Sequence, residues 1–170
     1  MFGYITGCYV FCALSLWFSF KKSHLLAGSL KVLASLSFVI LAWQLELAES
    51  FPWFFTGLIL CSIGDACLIA KGKGKTFLFG MTSFLLAHLC YSMSFILLGL
   101  DFRIIFALLL TTAIPAFMLF KWLTTGISGH LKPMVISYIC VISIMVTLSW
   151  GIMGMSNDAW WISMGATLFA

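Results

Sequence analysis

Five side chains in this sequence are equipped for chemistry and sit where their neighbours are almost all apolar. Asp65 falls six residues before Lys71, inside the apolar run from about Trp53 to Ala70. Lys31 stands six residues after Leu25 in the preceding run, so the two can meet as an ion pair between neighbouring segments. His88 lies eleven residues past Phe77, and Tyr91, three residues on, shares its face if the run is helical. Ser62 precedes Asp65 by three residues and can hydrogen-bond it from the same face. Ionisable groups in apolar surroundings usually carry function, and for Asp65 and His88 that function is proton transfer, either in catalysis or along a relay. Each residue also has a structural reading. The Lys31–Asp65 pair can pin two helices, His88 with Tyr91 can be an interhelical hydrogen-bond partner, and Ser62 can serve helix packing.

The elements that carry these residues are long and apolar. Of 170 residues, 63% are hydrophobic and 8% charged, against roughly a quarter charged in an ordinary globular domain. The apolar residues come in blocks of the length that crosses a bilayer, about 17–25 residues, and not in the spaced stripes of an amphipathic helix. The sequence therefore predicts an all-α, polytopic transmembrane bundle of about seven helices, forming one membrane domain over residues 1–170. The predicted spans run from about Phe2 to Phe20, Leu25 to Leu45, Trp53 to Ala70, Phe77 to Leu98, Ile104 to Leu123 and Pro133 to Met153, with a last apolar segment from Ala159. Pro52 opens the third span and Pro115 lies inside the fifth. Asp101 and Arg103 mark a short turn, Thr124 to Lys132 a longer polar stretch, and Ser156-Asn157-Asp158 another turn. The first block has no basic residues before it and Lys21-Lys22 after it, the wrong flank for a cleaved signal peptide, so it is expected to be retained.

Charge placement orients the bundle. Loops of odd number hold Lys21, Lys22, Lys71, Lys73, Lys75, Lys121 and Lys132, with Lys31 near the same side, which is eight of the nine basic residues. Even loops hold Glu46, Glu49, Asp101 and Asp158, four of the five acids, and Arg103 is the exception. The positive-inside rule makes the odd loops cytoplasmic and the N-terminus external. Trp53, Trp160 and Trp161 fall near predicted boundaries, as an aromatic belt requires. On a rise of 1.5 Å per residue, Asp65 lies roughly 9 Å inside the cytoplasmic boundary, Lys31 at a similar depth, and His88 roughly 16 Å deep. The last segment has about twelve residues where a span needs about twenty, so the chain is expected to stop within a helix, the alternative being an interfacial stub.

Several chemistries lack their residues. Cys8, Cys12, Cys61, Cys67, Cys90 and Cys140 all sit in apolar blocks with no C-x-x-C pair, so they read as small buried hydrophobes. No G-x-S-x-G elbow and no H-E-x-x-H or paired-histidine motif occurs, which argues against a serine lipase and a metal site. Gly72 and Gly74 alternate with lysine in a short loop that is no P-loop; the loop reads as a topology determinant able to touch anionic headgroups. No basic run with interleaved aromatics suggests nucleic acid. No convincing internal repeat appears, and the final segment has no lysine for a retinal Schiff base.

The stretch Leu60-Cys61-Ser62-Ile63-Gly64-Asp65, followed by Gly80-x-x-x-Phe84-x-x-Ala87-His88-x-x-Tyr91, resembles the YhhN/TMEM86 family of membrane lysoplasmalogenases. Lys31 matches that family's early lysine, with Val32 in place of its usual proline. Pro133-x-x-x-x-Tyr138 and Met145 resemble its sixth-helix pattern, and Gly165-Ala166-x-x-Phe169 the start of its seventh-helix motif. The family motif continues into a Ser-Asp pair a few residues past that phenylalanine, and the family has an eighth helix; this sequence stops at Ala170, before both. The resemblance implies hydrolysis of the vinyl-ether bond of lysoplasmalogens to a fatty aldehyde and glycerophosphocholine or glycerophosphoethanolamine. It makes a lysophospholipid the substrate and membrane lipids the surroundings, with no metal or other cofactor. Asp65 is then one catalytic carboxylate, Lys31 keeps it ionised or binds phosphate, and Ser62, His88, Tyr91 and Tyr138 bind or orient substrate or water. Two carboxyls in one layer can divide acid and base roles, because like charges and low dielectric push one pKa up. The competing readings are a proton-coupled transporter or channel using Asp65 and His88, and a non-catalytic membrane scaffold. A compact, lysine-flanked protein of this kind suits a bacterial inner membrane.

Overall fold

Apolar runs with no polar stripe to offer water satisfy their backbone groups internally, and the computed structural model folds them as helices. The structure describes residues 10, 17, 24–69, 74–126, 131–154 and 159–169. Among the described residues every regular element is a helix: α1 (His24–Gln44), α2 (Leu47–Ser50), α3 (Pro52–Ile69), α4 (Lys75–Leu98), α5 (Phe102–Gly126), α6 (Leu131–Gly151) and α7 (Ala159–Phe169). They divide into two compact units, Met1–Cys90 and Tyr91–Ala170, with α4 running from the first into the second.

In the first unit α1 packs against α3 as a hairpin. Its connection holds the single helical turn α2, entered through Glu46, whose φ of 56° is left-handed. Pro52 is the first residue of α3, where its missing N–H costs nothing, and the rings of Trp43 and Phe55 meet across the hairpin at 5.8 Å. The α3–α4 crossing is close because two glycines permit it. A Cβ on Gly64 would lie 2.7 Å from the Phe84 ring, and one on Gly80 would lie 3.1 Å from Cys67 Cβ. Ser83 Oγ donates to the Leu60 carbonyl at 2.6 Å, tying the same two helices.

In the second unit α5 packs on α6, and α6 on α7. Asp101 caps α5: its Oδ1 accepts the Arg103 N–H at 2.9 Å, while its own N–H donates to the Gly151 carbonyl at 2.8 Å. Thr112 and Thr147 share a hydroxyl bond at 3.0 Å between α5 and α6. Ser163 Oγ lies 2.5 Å from the Ser149 carbonyl and 2.9 Å from that of Ala159, and Trp150 Nε1 donates to Thr167 Oγ1 at 3.0 Å. These small hydroxyl residues are what brings membrane helices together where no hydrophobic force acts between them.

Burial is inverted relative to a water-soluble fold. Ser62, Asp65, Ser83, His88, Ser92, Ser94, Ser149 and Ser163 are buried, while Phe102, Phe106, Phe117, Trp122 and Leu168 face outward. Helices α3 and α4 and the stretch Lys132–Gly151 of α6 are long and apolar enough to cross a bilayer. A fourth span is formed by α5 if its two parts, Phe102–Leu109 and Thr112–Trp122, inclined at 42°, count as one. The bend falls about one turn before Pro115, where a proline ring meets the carbonyl four residues back. The apolar part of α1, Gly28–Gln44, is shorter, and α7 has 11 residues.

The predicted spans and the helices agree to within about two residues at most ends, with two differences. Thr124–Gly126 continue α5 and Lys132 lies in α6, so the polar stretch expected from Thr124 to Lys132 is largely helical. Polar side chains do not stop a helix whose backbone bonds can continue, and α5 runs on until Gly126. The expected Asp101–Arg103 turn is a cap followed by the first turn of α5. Apart from Val10 and Trp17, the predicted first span with Lys21 and Lys22 lies outside the described residues. So do Lys71, Lys73, the Ser156–Asp158 turn and Ala170.

Candidate functional site

Lys31 and Ser35 are one turn apart on α1, and the i, i+4 spacing puts both on one face. That face meets Asp65, the fourteenth of eighteen residues in α3. Lys31 Nζ lies 2.8 Å from Asp65 Oδ1, and the Ser35 hydroxyl donates to Asp65 Oδ2. Each carboxylate oxygen thus meets a different side chain of the neighbouring helix, Oδ1 the Lys31 ammonium as an ion pair and Oδ2 the Ser35 hydroxyl as a hydrogen bond. Asp65 is 7% exposed and Lys31 59%, so the pair has a buried anion and a cation that remains open to the surroundings. In a low-dielectric layer removing a lone charge from water costs far more than removing a paired one, which is why the two groups face each other.

The third wall comes from α4. The Phe84 ring occupies the space over Gly64, beside Asp65, and Lys31 Nζ stands 5.9 Å from its centroid, within cation–π range. One turn further on, His88 is 1% exposed and its Nδ1 lies 2.5 Å from the Phe84 carbonyl. A carbonyl only accepts, so Nδ1 carries the proton, and in the neutral ring Nε2 presents its lone pair. Phe84 therefore touches the site twice: its ring packs at the Asp65 helix and its backbone orients His88.

Ser62, Tyr91 and Tyr138 are placed differently. Ser62 is buried, but its hydroxyl donates to the Leu58 carbonyl of its own helix at 3.1 Å, and Ser35 supplies the hydroxyl to Asp65. Tyr91 belongs to the second unit, is buried, and meets Phe169 of α7 edge-on with ring centroids 6.0 Å apart. Tyr138 is a half-buried residue of α6. Among the described residues no three His, Cys, Asp or Glu side chains converge as metal ligands would. Sequence reading missed Ser35 and the part played by Phe84. The signal for Ser35 was present, since it stands four residues after Lys31 on the same helical face.

A helical bundle that exposes phenylalanine and tryptophan and buries an ion-paired carboxylate is an integral membrane protein with an intramembrane polar site. The YhhN family model matches residues 26–170, and the chain belongs to the YhhN family. It is 29% identical over 168 residues to lysoplasmalogenase TMEM86B of Rattus norvegicus, covering 98% of this chain and 65% of that protein. It is 28% identical over 157 residues to lysoplasmalogenase TMEM86B of Mus musculus, covering 91% and 63%. The chain therefore spans a little under two thirds of the length of these curated relatives. No solved structure matches it.

Proposed function

We propose that this protein is a membrane hydrolase that cleaves the vinyl-ether bond of lysoplasmalogens, with the Asp65 carboxylate as its base. The buried Asp65 carboxyl, 2.8 Å from the Lys31 ammonium, carries the reading, together with the similarity to two curated lysoplasmalogenases. A vinyl ether is cleaved by protonating the carbon remote from oxygen, which leaves an oxocarbenium ion. An ionised carboxylate in a low-dielectric site stabilises such a cation far better than it would in water.

The steps balance. A second carboxylic acid, that of the Ser-Asp pair with which the family motif continues, gives its proton to the vinyl carbon. Asp65 stabilises the cation and removes a proton from the water that attacks it, forming the new carbon–oxygen bond of a hemiacetal. The hemiacetal then collapses: its ether oxygen takes the proton from Asp65 and leaves as the glycerol hydroxyl, while its own hydroxyl proton returns to the second acid. The products are a fatty aldehyde and a glycerophospho alcohol, and both catalytic groups end as they began. Lys31 fits a second task, because its open ammonium can attract the substrate phosphate. His88 and Tyr91 are proposed to orient water or substrate, and Ser62 and Tyr138 to line its path. The odd, lysine-bearing loops are proposed to be cytoplasmic, and a bacterial inner membrane is the proposed location.

Two isotopes test the chemistry. Membranes holding the full-length protein and a lysoplasmenyl lipid in ¹⁸O-water should release a glycerophospho alcohol whose freed hydroxyl carries no ¹⁸O, and in D₂O aldehyde with one deuterium on the carbon next to the carbonyl. A saturated ether analogue should not be cleaved. Label in the glycerol hydroxyl would refute attack on an oxocarbenium ion.

A further inference from the structure

Ser35 Oγ lies within reach of two acceptors. One is Asp65 Oδ2, to which it donates, and the other is the Lys31 carbonyl, at 3.2 Å on its own helix. A serine hydroxyl has one proton and can serve only one acceptor at a time, while its lone pairs remain able to accept. When Asp65 is a carboxylate, the Ser35 proton points to Oδ2. When Asp65 holds a proton on Oδ2, the bond can reverse: Asp65 donates to Ser35 Oγ, and the Ser35 proton turns to the Lys31 carbonyl. Rotation about one C–O bond is all that changes, and no polar group is stranded in either state.

Lys31 cannot do this. An ammonium has donors only, so it can serve Oδ1 in either state but can never accept the proton that Asp65 carries on Oδ2. The two partners of Asp65 are therefore unlike: one holds its charge, the other tolerates its change of charge. A group that takes a proton from water and gives it to a leaving oxygen needs both.

We infer that Ser35 is a positioning residue for Asp65, holding Oδ2 hydrogen-bonded in both protonation states so that the carboxyl keeps its place while it accepts and returns a proton. The inference rests on the hydrolase reading for its catalytic consequence, and its structural core can be tested without substrate.

In the full-length protein, the infrared carboxylate band of Asp65 is the one that disappears in Asp65→Asn. Ser35→Ala should shift that band and Ser35→Thr should leave it near its parent position. In turnover of a lysoplasmenyl lipid, Ser35→Ala should lower kcat roughly 10-fold with KM within about 2-fold, the loss expected when a reacting group is left loosely placed. Ser35→Thr should recover kcat to within about 3-fold. Should Ser35→Ala not accumulate, Thr and Val at this position differ by one hydroxyl and ask the same question. Equal kcat for Thr and Val, or an Asp65 band that ignores the loss of the hydroxyl, overturns the inference. If the parent protein releases no aldehyde, the hydrolase reading fails and the infrared result alone decides the role of Ser35.

Discussion

Asp65 is buried and Lys31 is open, and this asymmetry sets what each substitution does. Lys31→Met strands a carboxylate in an apolar layer, whereas Lys31→Met with Asp65→Leu removes both charges together. The single change should lower unfolding stability in detergent by about 1–3 kcal/mol, at the modest end for a buried pair because Lys31 is more than half exposed, and the double change should recover most of it. Thermal unfolding of the three proteins checks this; a double variant less stable than the single would refute a net cost from the lone charge. The residues of the pair were legible in the sequence, because charge in a predicted span is rare enough to be noticed. Ser35 was not, because serine is common in such spans and only the register of α1 against α3 reveals which serine faces the acid. Ser62 illustrates the converse. Its spacing allowed a bond to Asp65, but the carbonyl of Leu58, one turn back, is the acceptor its hydroxyl uses.

At the scale of elements, the site exists because α3 and α4 approach closely at Gly64. A methyl group there would stand 2.7–2.9 Å from three atoms of the Phe84 ring, and a ring cannot give way as a flexible chain end does. Gly64→Ala should therefore cost about 1–3 kcal/mol and reduce turnover with it, and Gly64→Ala with Phe84→Leu should restore part of both. Melting temperature and activity measured on the pair decide the matter; an unaffected single variant would show that the crossing is looser than this. The helices themselves were legible from block length, and α3 begins at Pro52 as its sequence suggests. The ends of α5 and α6 were not, because Thr124, Thr125 and Lys132 are polar without being helix breakers. Nor was the turn of α2, four residues in a loop marked only by two glutamates.

Among the described residues, many large apolar side chains face out while several serine hydroxyls, an acid and an imidazole are buried, as lipid as a solvent requires. The membrane class was legible from composition alone, since a chain with 8% charged residues cannot cover itself in water. Length was less informative for α1, whose apolar part is shorter than a full span, while the 11 residues of α7 match the short last segment expected from the sequence. Orientation rests on charge placement. In a cysteine-free background, Glu49→Cys should react with an impermeant maleimide on intact cells and Lys75→Cys only after permeabilisation. The opposite pattern would invert the bundle. The central claim, that this YhhN-family protein hydrolyses vinyl ethers through Asp65, meets its most direct test in aldehyde release. Membranes with the full-length protein should release aldehyde from a lysoplasmenyl lipid, and membranes with equally abundant, folded Asp65→Asn should lose at least about 100-fold of that rate, the scale of a missing general base. Parent-like release by Asp65→Asn would contradict the account.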